Sequence, residues 1–423
     1  MKKNIAVIGC GIFGISTAYK LLQSNNHVTL IDPLSISDDL KTSNGESRNI
    51  RFSHANDEFY SLLSWKAAGE WKKIEKLAGE KLFYDTGVVW FASDNGGWES
   101  HSKETLNKLN IPCEHLSPND AKALFPSLNS DDLKFVLFEP HGGTLAAKKS
   151  LMTLFKLCQD MKVNYLNGTA KFKNDKIIVN GSGIDFDIAV WAVGPWMKHV
   201  FPFIDIVKVT MQEVVFFESP KEWSVEKIPA FNDITNAFYG CGSLNGMGVK
   251  LGYDLKGEEF DITKDERKYS DLSVDKCREY IAHRFPTLEQ AKINLTKTCQ
   301  YTMTPDANWI IAPHPEYPRH WIIGAGSAHG FKHGPALGQY VTDIILNNEN
   351  PDPKFALVKR KGKSNLAITL GVHLPILNDN FEIELPLSNS SQVELIEEEK
   401  YIVLDYLRKS LYNDYITLST KVI

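Results

Sequence analysis

The chain has 423 residues, 43% of them hydrophobic and 23% charged, with a net charge of -5 and a pI near 6.2. Such a composition can bury a sizeable core and lies far from the signature of disorder, while the lack of any basic cluster excludes a polyanion such as nucleic acid as partner. No run of about 18 apolar residues is present, so no membrane-spanning helix is expected, and the length points to two interlocked domains.

In chain order, residues 4–8 predict a short buried strand, followed by Gly9-Cys10-Gly11-Ile12-Phe13-Gly14 and an apolar-periodic helix through Ala18 and Leu22. A second strand is expected at 27–31, ending on Asp32. Helical spacing recurs over 59–77, then a strand over 87–91. A Gly/Asn/Ser-rich turn and short helices occupy 92–140, and a helix is expected over 146–161. Short strands over 163–193 end in an apolar strand closed by Gly194, Pro195 and Trp196. Residues 205–260 read as β-rich, with 207–217 the clearest strand, and a charged helix is expected over 262–285. A strand runs into Gly324 and a helix follows over 335–346. In the tail, 381–385 alternates like a strand and 393–411 reads as an amphipathic helix.

Gly9, Gly11 and Gly14 form G-x-G-x-x-G between a strand and a helix, and Asp32 closes the second strand. Gly9 suits the tight turn, Gly11 lets a pyrophosphate approach, and Gly14 lets helix and strand pack closely. The helix N-terminus offers N–H groups and a positive dipole end to phosphate, and the Asp32 carboxylate can accept from ribose hydroxyls. The motif alone does not separate NAD from FAD. Two distant apolar strands that end in small residues, 190–194 and 322–326, suit the longer FAD.

The six cysteines are spread without paired spacing, so neither a disulfide framework nor a zinc site is expected, and a reducing cytoplasm is the default compartment. The twelve histidines are assigned no metal role.

Five segments carry a more specific signal. They are Ser47-Arg48-Asn49-Ile50-Arg51, Phe238-Tyr239-Gly240, Gly248-Val249-Lys250-Leu251-Gly252-Tyr253, Thr298-Cys299-Gln300-Tyr301-Thr302-Met303-Thr304-Pro305-Asp306, and Gly324-Ala325-Gly326-Ser327-Ala328-His329-Gly330-Phe331-Lys332-His333-Gly334. Together they resemble the monomeric sarcosine oxidase and N-methyltryptophan oxidase group of D-amino-acid-oxidase-like flavoenzymes, over about residues 1–350 but not the tail.

The resemblance implies a mixed α/β fold in which a Rossmann-type FAD-binding domain (1–91, 141–204 and 293–360) is interleaved with a β-sheet-rich substrate domain (92–140 and 205–292). A C-terminal extension of unknown role (361–423) follows. It implies FAD attached through Cys299 by a thioether to the flavin 8α-methyl. Ile12, Phe13, Ser47, Arg48, Gly194, Trp196, Gly326, Gly330 and Phe331 join the glycine turn and Asp32 as cofactor contacts. It further implies that Lys250 promotes the reaction with oxygen and that Arg51 and Lys332 clamp a substrate carboxylate, with Lys332 also at the cofactor. Tyr239 and Tyr301 would wall the pocket, with His329 beside the substrate. Asn44 departs from the pattern, since sarcosine-type members often carry histidine there.

The expected reaction oxidises the C–N bond of a small N-substituted amino acid to an imine, with molecular oxygen yielding hydrogen peroxide, in a monomer. A dehydrogenase using another acceptor, or a flavoprotein with mainly an interaction role, are the alternatives. No metal is expected.

Overall fold

The computed structural model describes residues 2–255 and 257–357. The strand and helix expected at 381–385 and 393–411 lie outside the described residues.

A six-stranded sheet runs in the order Ile310–Pro313, His320–Gly324, Ile188–Trp191, Asn4–Ile8, His27–Asp32 and Asn164–Asn167. All neighbours are parallel except the antiparallel pair at the Ile310–Pro313 edge. Asn4–Ile8 sits in its interior, and Ile5 to Ile8 are all buried. A parallel strand covered on both faces needs an unbroken apolar run, which is what the sequence supplies. Helices Ile12–Gln23, Glu58–Ala78, Ala147–Asp160 and Gly334–Asn347 share one core, built on Ile15, Leu21, Trp71, Leu154, Leu337 and Val341.

The second sheet has eight strands in the order Ile293–Met303, Lys208–Phe217, Val249–Tyr253, Phe238–Cys241, Ala230–Asp233, Val88–Ala92, Phe135–Glu139 and Glu114–Leu116. Its pairs are antiparallel except Ala230–Asp233 with Val88–Ala92. Phe91, Phe125, Phe231, Leu251 and Phe285 pack beneath it with helix Asp271–Arg284.

Two details depart from the sequence expectations. Strands Val88–Ala92 and Ile293–Met303 pair within the large sheet, although the sequence division groups 1–91 and 293–360 with the nucleotide segments. The charged helix begins at Asp271 and not near 262. Asp261 accepts from the backbone and hydroxyl of Thr263, a local turn that competes with helix. Among the described residues no helix is long and apolar enough to cross a membrane.

Candidate active site at the meeting of the two sheets

A cavity of about 500 Å³ lies between the glycine turn and one face of the large sheet. In the glycine turn, Gly9 has φ +103°, and a Cβ there would meet the Ala192 carbonyl oxygen at 2.3 Å. A Cβ on Gly14 would lie 1.9 Å from the Gly9 oxygen, so the turn and the helix can close on each other only without side chains. Gly11 caps helix Ile12–Gln23 and, with Ile12 and Phe13, lines the cavity.

Across the cavity runs a loop from Gly324 to Gly330. Ala325, Ser327 and Ala328 all take positive φ (51°, 45° and 66°), each costing on the order of 1–3 kcal/mol for a residue with a Cβ. Surrounding bonds hold the strained path: Ser327 N donates to Thr302 O at 3.0 Å, and its hydroxyl donates to Ala325 O at 3.0 Å.

Strand register sets the reactive side chains. Pairing of Lys208–Phe217 with its two neighbours places Tyr301 opposite Thr210, Cys299 opposite Gln212, and Lys250 opposite Phe216. Paired residues project to the same side of a sheet, so residues nearly fifty positions apart reach one cavity. Tyr239 pairs with Gly252, where a Cβ would come within 2.6 Å of the tyrosine ring. Glycine therefore leaves room for the ring.

Burial dominates the charges. Lys250 is buried with its Nζ donating to Ser47 O at 3.0 Å, and desolvation, aided by Arg48, lowers its pKa to about 8. Lys332 is held well below the ordinary lysine range by burial and by Arg51. Its Nζ donates to His329 O at 3.3 Å. Burial likewise lowers Arg51 to about 10, which leaves it a cation at neutral pH. The Cys299 thiol is raised by burial, although Arg48 and Lys250 pull against that.

The Arg51 segment is anchored by Glu139. This buried carboxylate accepts from Phe52 N at 2.6 Å, Ser53 N at 3.0 Å and Trp90 Nε1 at 2.8 Å, and also from the Ser53 hydroxyl. The guanidinium donates to Ser53 O at 2.6 Å and lies over the Trp90 ring at 5.1 Å. Both anchors are thus tied to one carboxylate.

Fifteen sequence-nominated residues line the cavity: Gly11, Ile12, Phe13, Arg48, Arg51, Gly194, Tyr239, Lys250, Cys299, Tyr301, Gly326, His329, Gly330, Phe331 and Lys332. Gly9, Gly14, Asp32, Ser47 and Trp196 stand outside that lining. Asp32 is buried, and its carboxylate accepts from Cys10 N at 2.6 Å, Leu34 N at 2.8 Å and Lys41 Nζ at 2.9 Å. The ribose contact expected of it therefore meets a carboxylate already engaged by its own chain. Ser47 contributes its carbonyl to Lys250 and brings its hydroxyl to 3.3 Å from Cys241 Sγ.

The structure adds residues that were not nominated. Asp254 lines the cavity and accepts from the Tyr301 hydroxyl at 2.9 Å. His54, His329 and His333 bring potential ligand nitrogens within 4.8 Å of one another. His329 and His333 are four positions apart, a spacing visible in the sequence that the expectation of no metal role passed over. Burial, then the Lys332 cation, holds His54 and His333 well below the usual histidine range. Neutral imidazoles could ligate, but Lys332 and Arg51 beside them oppose a metal ion.

The cavity fits FAD by its donor set. Gly11, Gly326 and Gly330 present backbone without side chains to the cavity, which the Cys299 thiol, Arg48 and Lys250 also line.

A family model described as FAD dependent oxidoreductase matches residues 4–344, and a second, described as a domain of unknown function, matches residues 355–423. The chain is 23% identical over 362 residues to the monomeric sarcosine oxidase of Bacillus sp. (strain B-0618), covering 82% of this chain and 93% of the relative. It is 24% identical over 365 residues to the N-methyl-L-tryptophan oxidase of Yersinia pestis (strain Pestoides F), covering 84% and 97%. Among solved structures, the L-proline dehydrogenase from P. horikoshii superposes with a TM-score of 0.74 at 22% identity, covering 84% of this chain and 97% of that one.

Proposed function

Since the chain belongs to the FAD dependent oxidoreductase family, we propose that it oxidises the C–N bond of a small N-substituted amino acid to an imine and passes the electrons to molecular oxygen, releasing hydrogen peroxide. The observation that carries this reading is the convergence of Arg51, Lys332, Lys250 and Cys299 on the cavity that begins at the glycine turn. FAD, when bound, supplies the two-electron acceptor that no side chain provides.

Arg51 and Lys332 would hold the substrate carboxylate, with the planar guanidinium suited to two parallel hydrogen bonds. That grip orients the C–N bond and favours acids over plain amines. Lys250, where protonated, stabilises the negative charge that builds on oxygen as it is reduced, an effect strengthened by removal from water. Cys299 would carry the covalent link; burial raises its thiol, and Arg48 and Lys250 partly offset that rise. Glu139 serves by holding Arg51 in place. The names of the relatives support an amino-acid-like substrate: sarcosine and N-methyltryptophan are both N-methylated amino acids.

Two measurements on the purified protein test the reading. Denaturation in acid should leave yellow flavin on the polypeptide, and its complete release refutes attachment at Cys299. Peroxide should appear with at least one member of a panel of N-methyl and cyclic amino acids. Flavin bleaching by such an amine under argon, without peroxide in air, would make the protein a dehydrogenase instead.

A further inference from the structure

Asp254 is one of four acidic residues that line the cavity with Arg51 and Lys332, and of the others Asp233 is ion-paired to Arg284 and Glu46 to Lys297. It directly follows strand Val249–Tyr253, and its backbone N–H is fixed to Ala237 O at 2.7 Å. Its Oδ1 accepts from Tyr301 at 2.9 Å, whereas Oδ2 has no hydrogen-bond partner among the described residues. Arg51 and Asp254 feel each other electrostatically, yet no ion pair within 4.0 Å joins them among the described residues. The guanidinium turns to Ser53 O instead. A buried charge without a close partner is costly, so a group that carries the complementary charge would be stabilised against Asp254. Burial raises the Asp254 carboxyl to about 6, which still leaves it ionised at neutral pH.

We propose that Asp254 is the subsite for the positively charged nitrogen of a zwitterionic substrate whose carboxylate is held by Arg51 and Lys332. The inference rests on the amine-oxidation reading and names the residue that recognises the nitrogen end of its substrate. Oδ2 accepts the ammonium hydrogen, and Tyr301 keeps the carboxylate facing the cavity. A plain carboxylic acid leaves Asp254 unpaired, and a plain amine leaves the two cations unpaired. Each therefore binds more weakly than the zwitterion.

The test uses the flavin-loaded protein with its flavin already reduced by dithionite under argon, so that no amine can be oxidised, and titrates isosteric pairs by calorimetry. The pairs are sarcosine with methoxyacetate, and L-proline with tetrahydrofuran-2-carboxylate. Wild type should favour each amino acid over its ether partner. Asp254→Asn should lower that preference by about ten-fold or more, the value of one charge-assisted hydrogen bond, and Asp254→Glu should restore part of it. A preference within two-fold of wild type in the Asn variant, or an equal loss for both members of a pair, overturns the proposal. Should Asp254→Asn fail to retain flavin, Asp254→Ser is read by the same criterion. Failure of every amine to bleach the oxidised flavin would instead sink the oxidation reading, because the preference is measured as binding and does not require turnover.

Discussion

The two sheets contribute to the cavity in opposite ways. The parallel sheet offers backbone: Gly9, Gly11 and Gly14 act by what they lack, and all three lie within six residues of one turn. The antiparallel sheet offers side chains: Tyr239, Lys250, Cys299 and Tyr301 come from three strands and reach the cavity through cross-strand register. A nucleotide needs close approach and a helix N-terminus, both local properties. Stabilising developing charge needs cations held in a dry place, which local structure cannot provide.

The sharpest way to break this contrast is at Gly9. Gly9→Ala places a Cβ 2.3 Å from the Ala192 oxygen at φ +103°. Flavin retention should be abolished, read as the ratio of flavin to protein absorbance. Retention at the wild-type ratio would show that the turn is not the nucleotide's seat.

The antiparallel side is probed next by Lys250→Met. Reoxidation of the reduced flavin by oxygen should slow about 10²–10³-fold, the scale of losing one fixed charge-stabilising donor, with anaerobic reduction by substrate changed far less. Its pH dependence has a definite sign. The folded pKa is depressed to about 8, so the ammonium is present below that value and lost above it. The oxygen step should therefore fall as pH rises through about 8 in wild type and stay flat in the variant. Stopped-flow reoxidation at several pH values checks both.

Arg51→Met should raise KM for carboxylate substrates about 10–100-fold, the range for hydrogen bonds to a charged group. Steady-state kinetics that show an equal fall in kcat and unchanged KM would assign Arg51 to another role. The smallest effect belongs to the scaffold. Asp57 caps helix Glu58–Ala78 by accepting from Tyr60 N at 3.0 Å. Asp57→Ala should cost about 1 kcal/mol in a denaturant melt without changing flavin content.

Much of the site was legible because motif residues lie next to elements that read strongly. The nominated residues Lys250 and Cys299 sit within strands Val249–Tyr253 and Ile293–Met303 and line the same cavity. Asp254 was missed because an aspartate after a strand reads as a turn residue, and nothing local shows that Tyr301 will meet it. Glu139 was missed likewise. Its three backbone and indole donors come from residues 49 to 87 positions away.

By itself, the amino-acid order determined the strand, glycine turn and helix at the N-terminus and the succession of elements up to Gly334–Asn347, because periodicity and glycine placement act within a few residues. Tertiary structure decided which sheet Val88–Ala92 and Ile293–Met303 join, that Lys41 occupies Asp32, and that Arg51 and Asp254 share a cavity without pairing. Those outcomes depend on strand register and on removal of charge from water, which exist only once distant segments have packed.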